Sequence, residues 1–262
     1  MTRISPTHPR YRSLRVRAGL ARALREGLVV PEGLIAQGRG EAFDYFLGER
    51  TIPSARRAER IAADWIRTAR HPVLSVNGNV AALAAVEVAR LVRAYPRLGI
   101  EVNLFHRTPS RVRSVARALR SAGVVPLYGL RPTGRIAGLD SDRARVDRRG
   151  IGAADLCLIP LEDGDRAEAL RRAGRRIIAI DLNPLSRTSR AAHLPIIDEL
   201  TRALNEIARA LERSPRTRPK RRRETARALL SDARATMARN LLKAPRPGEL
   251  GTKLAEPRPQ LP

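Results

Sequence analysis

Within eight positions, Asp181-Leu182-Asn183-Pro184-Leu185-Ser186-Arg187-Thr188 sets out an acid able to hold a ribose, an amide able to read an adenine edge, and a charged fork beside a hydroxyl for phosphates. Upstream, Glu162-Asp163-Gly164-Asp165 puts three carboxylates in four positions ahead of a helical stretch. Oxygen ligands of that kind suit a magnesium-bound triphosphate, directly or through water; helix capping by Asp165 is the alternative reading. Asn77-Gly78-Asn79 lets the backbone approach an anion, with two amides as donors, although an ordinary Asn-Gly turn with an N-cap uses the same residues. His106-Arg107, ahead of Thr108-Pro109, offers a proton carrier or a phosphate donor, set against a histidine merely satisfied by backbone at a helix entry. None of the four segments is specific by itself. Together they point to a site for a nucleotide and a second anion.

Each segment sits where the chain must turn from strand to helix. Apolar runs at 73–76, 101–105, 124–128, 156–159, 177–180 and 194–197 alternate with helical patterns at 80–94, 109–121, 166–172 and 199–212. Near-continuous apolar strands between amphipathic helices predict a parallel sheet covered on both faces, with ligands beyond the carboxyl ends of the strands. The fold class is therefore α/β: a doubly wound, mainly parallel, Rossmann-like nucleotide-binding domain over 71–213. Residues 1–70 read as a helical extension, with Ser13 as an N-cap, a short helix at 31–37 stopped by Gly38, and the Thr51 hydroxyl ahead of Pro53. Residues 214–262 read as a basic, mostly disordered tail with at most one transient helix near 224–242.

Charge narrows the chemistry. The 262 residues carry a formal net charge of +25, and net +9 of it falls from Asn205 onward. All three lysines lie in that last part, so residues 1–204 have no P-loop lysine, Schiff base or lysine general base. A phosphate clamp there must use arginine, helix N-termini and backbone N–H groups. One cysteine, Cys157, excludes a disulfide scaffold and any multi-cysteine zinc site. The start of the chain lacks the apolar segment of a signal peptide, and no run is long enough to span a bilayer, which predicts a soluble, cytoplasmic protein. Such basicity also fits a nucleic-acid-binding protein, yet no aromatic residue follows Tyr128 to stack bases, and the carboxylates on the expected binding edge would repel a polyanion.

The longer motifs SVNGNVAAL, EVNLFHRT, PLEDGDR and IDLNPLSRT occur in order with His8-Pro9-Arg10-Tyr11, the stretch 33–45, and Asp198-Glu199-Leu200-Thr201-Arg202. Together they resemble the archaeal phosphopantothenate synthetase (4-phosphopantoate–β-alanine ligase) family, over residues 5–204. The resemblance implies a homodimeric enzyme of coenzyme A biosynthesis. It condenses 4-phosphopantoate with β-alanine through an acyl-adenylate and releases AMP and pyrophosphate. It also implies ATP contacts from Arg17, Arg39, Asp181, Leu182, Asn183, Arg187, Thr188, Glu199 and Leu200. At Glu199 the family can carry Asn, so contacts there run through backbone; Gln37 stands where the family pattern has His.

On that assignment Arg39, Asp163 and Arg187 form the expected catalytic set, with arginines aimed at the charge that builds on the α-phosphate. Mg²⁺ is expected at Asp163 or Asp165. The second phosphate site is expected among Asn77, Asn79, His106 and Arg107. The tail beyond 214 is read as outside the family core, with weak affinity for RNA or another acidic partner.

Overall fold

The structure, a computed structural model, describes residues 5–8, 10–213 and 224–243. Three helices come first: α1 (Tyr11–Arg25), α2 (Pro31–Leu47) and α3 (Pro53–Thr68). Prolines open α2 and α3 because their missing N–H falls among donors that a first turn leaves unpaired anyway. Local capping departs from expectation in three places. Arg10, not Ser13, is the N-cap of α1, and the Ser13 hydroxyl donates back to the Arg10 carbonyl. Gly38 lies inside α2, which runs on to Gly48, where φ of 78° makes the left-handed stop. Thr51 does not cap α3; its hydroxyl donates across the molecule to Asp198 Oδ2 at 2.6 Å.

The sheet is built from β1 (Pro72–Val76), β2 (Gly99–Val102), β5 (Leu156–Pro160), β6 (Arg176–Ile180) and β7 (Leu194–Ile196). All pair parallel, in the order β2-β1-β5-β6-β7. Between them run α4 (Gly78–Ala94), α5 (Pro109–Ser121), a two-residue-stranded hairpin of β3 (Gly134–Arg135) and β4 (Arg145–Val146), and α6 (Gly164–Arg172). Next come α7 (Arg187–Ala191) and α8 (Leu200–Glu212). The doubly wound fold is as expected, but residues 124–128 do not form a strand. Tyr128 alone bridges to β2, its N–H bonding to Ile100 O at 2.8 Å, and Pro126 has no N–H for a ladder.

Strand residues divide by parity, as a pleat demands. Leu74, Val76, Leu158, Ile178 and Ile180 pack towards the α3, α4 and α8 side. Val73, Cys157, Ile159, Ile177 and Ala179 pack towards α6 and the β3–β4 hairpin. Both faces are dry, which is why the strands read as unbroken apolar runs.

A last helix, α9 (Ala226–Lys243), covers a third apolar cluster in which Ala233 meets Leu47, Ile52, Ala55, Leu182 and Ile197. Leu229 is 2% exposed. Arg57 of α3 pairs with Glu224 at 2.7 Å and Asp232 at 2.6 Å, and Asn240 Nδ2 donates to Phe46 O at 2.8 Å. The expectation of at most a transient helix near 224–242 is corrected: the helix is docked, because its few apolar positions meet a waiting apolar patch. The rest of the expected tail lies outside the described residues.

Candidate functional site

The strand order reverses between β1 and β5, and in a doubly wound sheet that switch point opens a crevice at the carboxyl ends. A cavity of about 740 Å³ sits there, with α2 as its outer wall. Three helices, α4, α6 and α7, begin on its rim, so their unpaired N–H groups and partial positive charge face the same space.

At the β6 end of the cavity, Asp181 accepts from Asn183 N at 2.9 Å and from Ser186 Oγ at 2.5 Å, and Asn183 Oδ1 accepts from Leu185 N at 2.8 Å. These bonds fold the loop into a fixed shape over Leu182. Burial lifts the Asp181 carboxyl above its ordinary range, against the pull of Ser186, the Asn183 N–H and the Arg39 charge across the cavity. Arg39, Asp181, Asn183, Arg187 and Thr188 all line this end. The Thr188 hydroxyl donates to Glu162 O at 2.6 Å, tying α7 to the β5 loop.

The β5 loop is more constrained than its sequence suggests. Leu161 holds φ at +50°, an unusual left-handed conformation for a side chain of its size. Its N–H bonds to Ile180 O at 3.1 Å and its carbonyl accepts from Asn77 Nδ2 at 2.9 Å. Glu162 is not a free carboxylate. It lies buried between Arg143 and the fully buried Arg166, pairing with both, and Arg166 also donates to Ser75 Oγ at 2.9 Å. Asp163 is the N-cap residue of α6, which starts two residues earlier than the expected Asp165 cap implies. Its Oδ2 lies 3.1 Å from Arg143 Nε, and burial holds its carboxyl above the ordinary range despite that arginine. Asp165 stays exposed on the cavity wall.

The two Asn side chains of the first loop are clips. Asn77 caps α4 by accepting from Val80 N at 3.0 Å and donates to Pro160 O and Leu161 O, joining β1 to β5. Asn79 Nδ2 donates to Gly33 O at 2.8 Å, joining α4 to α2. The two helices cross closely at Gly33, where a Cβ would displace the Asn79 amide from its present position.

The structure therefore brings Arg39, Asp181, Leu182, Asn183, Arg187, Thr188, Asp163 and Asp165 around one cavity with Asn77, Asn79 and His106. Four expected site residues stand off its wall. Arg17 is held by Glu41 through contacts of 3.0 and 2.9 Å. Arg107 is turned away, its guanidinium spent on the carbonyls of Gly129 and Leu130, beside a separate arginine-lined groove on α5. Glu199 and Leu200 start α8 beyond β7, next along the same rim, and the Glu199 carboxylate caps that helix through Thr201 N at 3.0 Å and Arg202 N at 3.1 Å. The Glu199 N–H is taken by Asp198 Oδ1 at 2.8 Å, which leaves the second lone pair of the Glu199 carbonyl for other contacts.

Sequence reading missed Arg111 and Arg143, which line the end of the cavity opposite Asp181. Arg111 stands three residues after the Thr108 cap and thus on the first turn of α5, a spacing that could have shown it. Arg143 reaches the site through the β3–β4 hairpin from a stretch with no periodic signal.

Among the described residues no cluster of three or more His, Cys, Asp or Glu could hold a metal, and no helix is long and apolar enough to cross a membrane. A family described as phosphopantothenate/pantothenate synthetase matches residues 54–243, so α9 lies within the family unit and the resemblance extends past residue 204. Over 206 residues the chain is 54% identical to a 4-phosphopantoate–beta-alanine ligase of Methanospirillum hungatei, covering 79% of this chain and 84% of the relative. It is 48% identical over 216 residues to the ligase of the same name from Thermococcus kodakarensis, covering 81% and 82%. By these matches the chain belongs to the phosphopantothenate/pantothenate synthetase family.

Proposed function

We propose that this chain is an ATP-dependent ligase that joins 4-phosphopantoate to β-alanine, releasing AMP and pyrophosphate on the way to coenzyme A. Family membership supports it, and one observation carries it. A single cavity at the switch point has an acid-and-amide end suited to a nucleoside and an arginine-rich opposite end suited to a second anion.

In this reading Asp181 and Asn183 hold the nucleoside, fixed beforehand by their mutual hydrogen bonds. The N-termini of α6 and α7, with Arg39 and Arg187, face the phosphates and stabilise the charge that gathers on the α-phosphate as the substrate carboxylate attacks it. The acyl-adenylate and pyrophosphate result, and the neutral amine of β-alanine then displaces AMP. Arg17, Glu199 and Leu200 act from outside the cavity wall, Glu199 through its backbone.

Of the two carboxylates expected at a metal, Asp163 is occupied by Arg143 whereas Asp165 is unpaired among the described residues, so Asp165 is the residue that would hold Mg²⁺ together with phosphate oxygens. The ion, when bound, neutralises phosphate charge.

The enzyme is a cytoplasmic homodimer in this proposal, as the family resemblance implies. The net +9 from Asn205 onward supports weak RNA attraction outside catalysis. Loss of salt-dependent RNA retention when 214–262 are deleted checks that role, and unchanged retention would remove it. The main test is AMP release with 4-phosphopantoate, β-alanine and Mg-ATP, leaving out each in turn. Release that needs all three is expected; ADP and inorganic phosphate as products would overturn the reading.

A further inference from the structure

We infer that Arg111 and Arg143, together with the first turn of α4, form the subsite that binds the phosphate monoester of the acid substrate. The inference rests on the ligase reading for the identity of that substrate, and on geometry for the site itself.

Arg111 is a half-buried cation without a counter-ion: among the described residues no carboxylate lies within ion-pair distance of it. Its guanidinium is aimed by two carbonyls, those of Leu28 at 3.1 Å and His106, which fix direction without cancelling charge. Arg143, 7% exposed, lines the same end of the cavity. Burial first and then the Arg143 charge push the Arg111 pKa down, against an opposing pull from the Glu32 carboxylate on the cavity wall. Two cations gathered in a partly dry wall cost free energy unless an anion completes them.

Neutral donors complete the surround. Val80 N–H is capped by Asn77, but the N–H groups of Gly78 and Asn79 have no partner among the described residues. Gly78 abuts the Arg111 fork so closely that a Cβ there would lie 3.2 Å from Arg111 Nη2 and would strike Leu28 O. A tetrahedral dianion placed against Gly78 thus meets a forked guanidinium and two backbone donors at once. This end lies across the cavity from Asp181, so the carboxylate of a short phosphorylated acid can reach towards the nucleotide phosphates while its own phosphate stays anchored.

The asparagines and Arg107, first expected to bind this phosphate, are spent on structural bonds. Glu162 and Asp163 already pair with Arg143, so Arg111 carries the larger share of ligand recognition.

The test compares Arg111→Gln and Arg111→Lys with the parent full-length enzyme, using 4-phosphopantoate and unphosphorylated pantoate as alternative acids. For Arg111→Gln, KM for phosphopantoate should rise about 30-fold, near the loss of one charge-assisted hydrogen bond. KM for ATP and the rate with pantoate should hold, and Arg111→Lys should recover part of the loss. Equal loss with both acids, or with ATP, would mark Arg111 as structural and overturn the subsite. Inorganic phosphate binding by calorimetry gives a readout that needs no turnover. Weaker binding in Arg111→Gln supports the subsite and unchanged binding overturns it, even if the parent enzyme forms no AMP and the ligase reading itself fails.

Discussion

Gly164, at the start of α6, lies so close to Arg187, at the start of α7, that a Cβ on the glycine would overlap the arginine Cβ. Two helix N-termini are thereby pressed together on one rim, and the overlap involves atoms next to backbone that cannot swing aside. Gly164→Ala should therefore raise KM for ATP several-fold and cost about 1–3 kcal/mol of stability, as overpacking does. Steady-state kinetics and denaturant melts check both; an unchanged KM for ATP would separate α7 from nucleotide binding.

Arg39 faces Asp181 across the cavity yet is itself exposed, so screening limits its contribution. Arg39→Ala should weaken kcat/KM for ATP by about tenfold, the equivalent of about 1.4 kcal/mol, and leave the melting temperature unaltered. A loss confined to phosphopantoate would place Arg39 at the other end of the site.

Arg202 spans two acids, donating to Asp198 Oδ1 at 2.9 Å and to Asp44 at 3.0 and 2.5 Å. This single side chain fastens α8 to α2, the outer wall of the cavity. Because buried Asp44 and Asp198 would both lose this cation, Asp198 keeping only the Thr51 hydroxyl and the Glu199 N–H, Arg202→Ala should cost about 3 kcal/mol. A shift below about 0.5 kcal/mol, the range of ordinary surface changes, would refute this.

Glu59 of α3 is 1% exposed, with both carboxyl oxygens lacking a hydrogen-bond partner. Burial first, then the negative charge of Asp198, pushes its pKa up to about 9 from 4.5. Folding therefore takes up a proton. The resulting stability is full below pH 4.5 and drains away as pH rises towards about 9. Glu206 and Arg56 also act on this group, in opposite directions. Urea midpoints should fall across that window in the parent protein and flatten in Glu59→Gln. Parallel profiles for the two proteins would rule the proton uptake out.

Incubation with carboxyl-¹⁸O phosphopantoate should carry label into AMP. Label in inorganic phosphate would instead mean an acyl-phosphate route and would defeat the adenylate.

Strand and loop positions were legible because two dry faces force apolar runs, and because an acid such as Asp181 or Asp165 at a strand end contrasts with such a run. The roles of Asn77 and Asn79 were not legible. A donor that binds ligand and one that staples β1 to β5 look the same until the partner carbonyls of Pro160, Leu161 and Gly33 are in place. Arg143 was hidden for a related reason: it joins Glu162 only through contacts distant in sequence. Gly38 misled because a glycine permits a helix stop without requiring one, whereas Gly48, at positive φ, makes it. Residues 226–243 carry too weak an apolar stripe to announce burial; the patch that receives them is assembled from α2, α3 and β7.

That patch includes Leu182, in the middle of the nucleotide loop, which is backed by Ala233. The chain emerges from the ribosome in order, so the loop meets its support only after residues 226–243 have been made. Nascent chains halted before residue 226 should carry a complete sheet and a poorly seated nucleotide loop, and premature-stop products should be cleared as misfolded protein and not persist as slow enzymes.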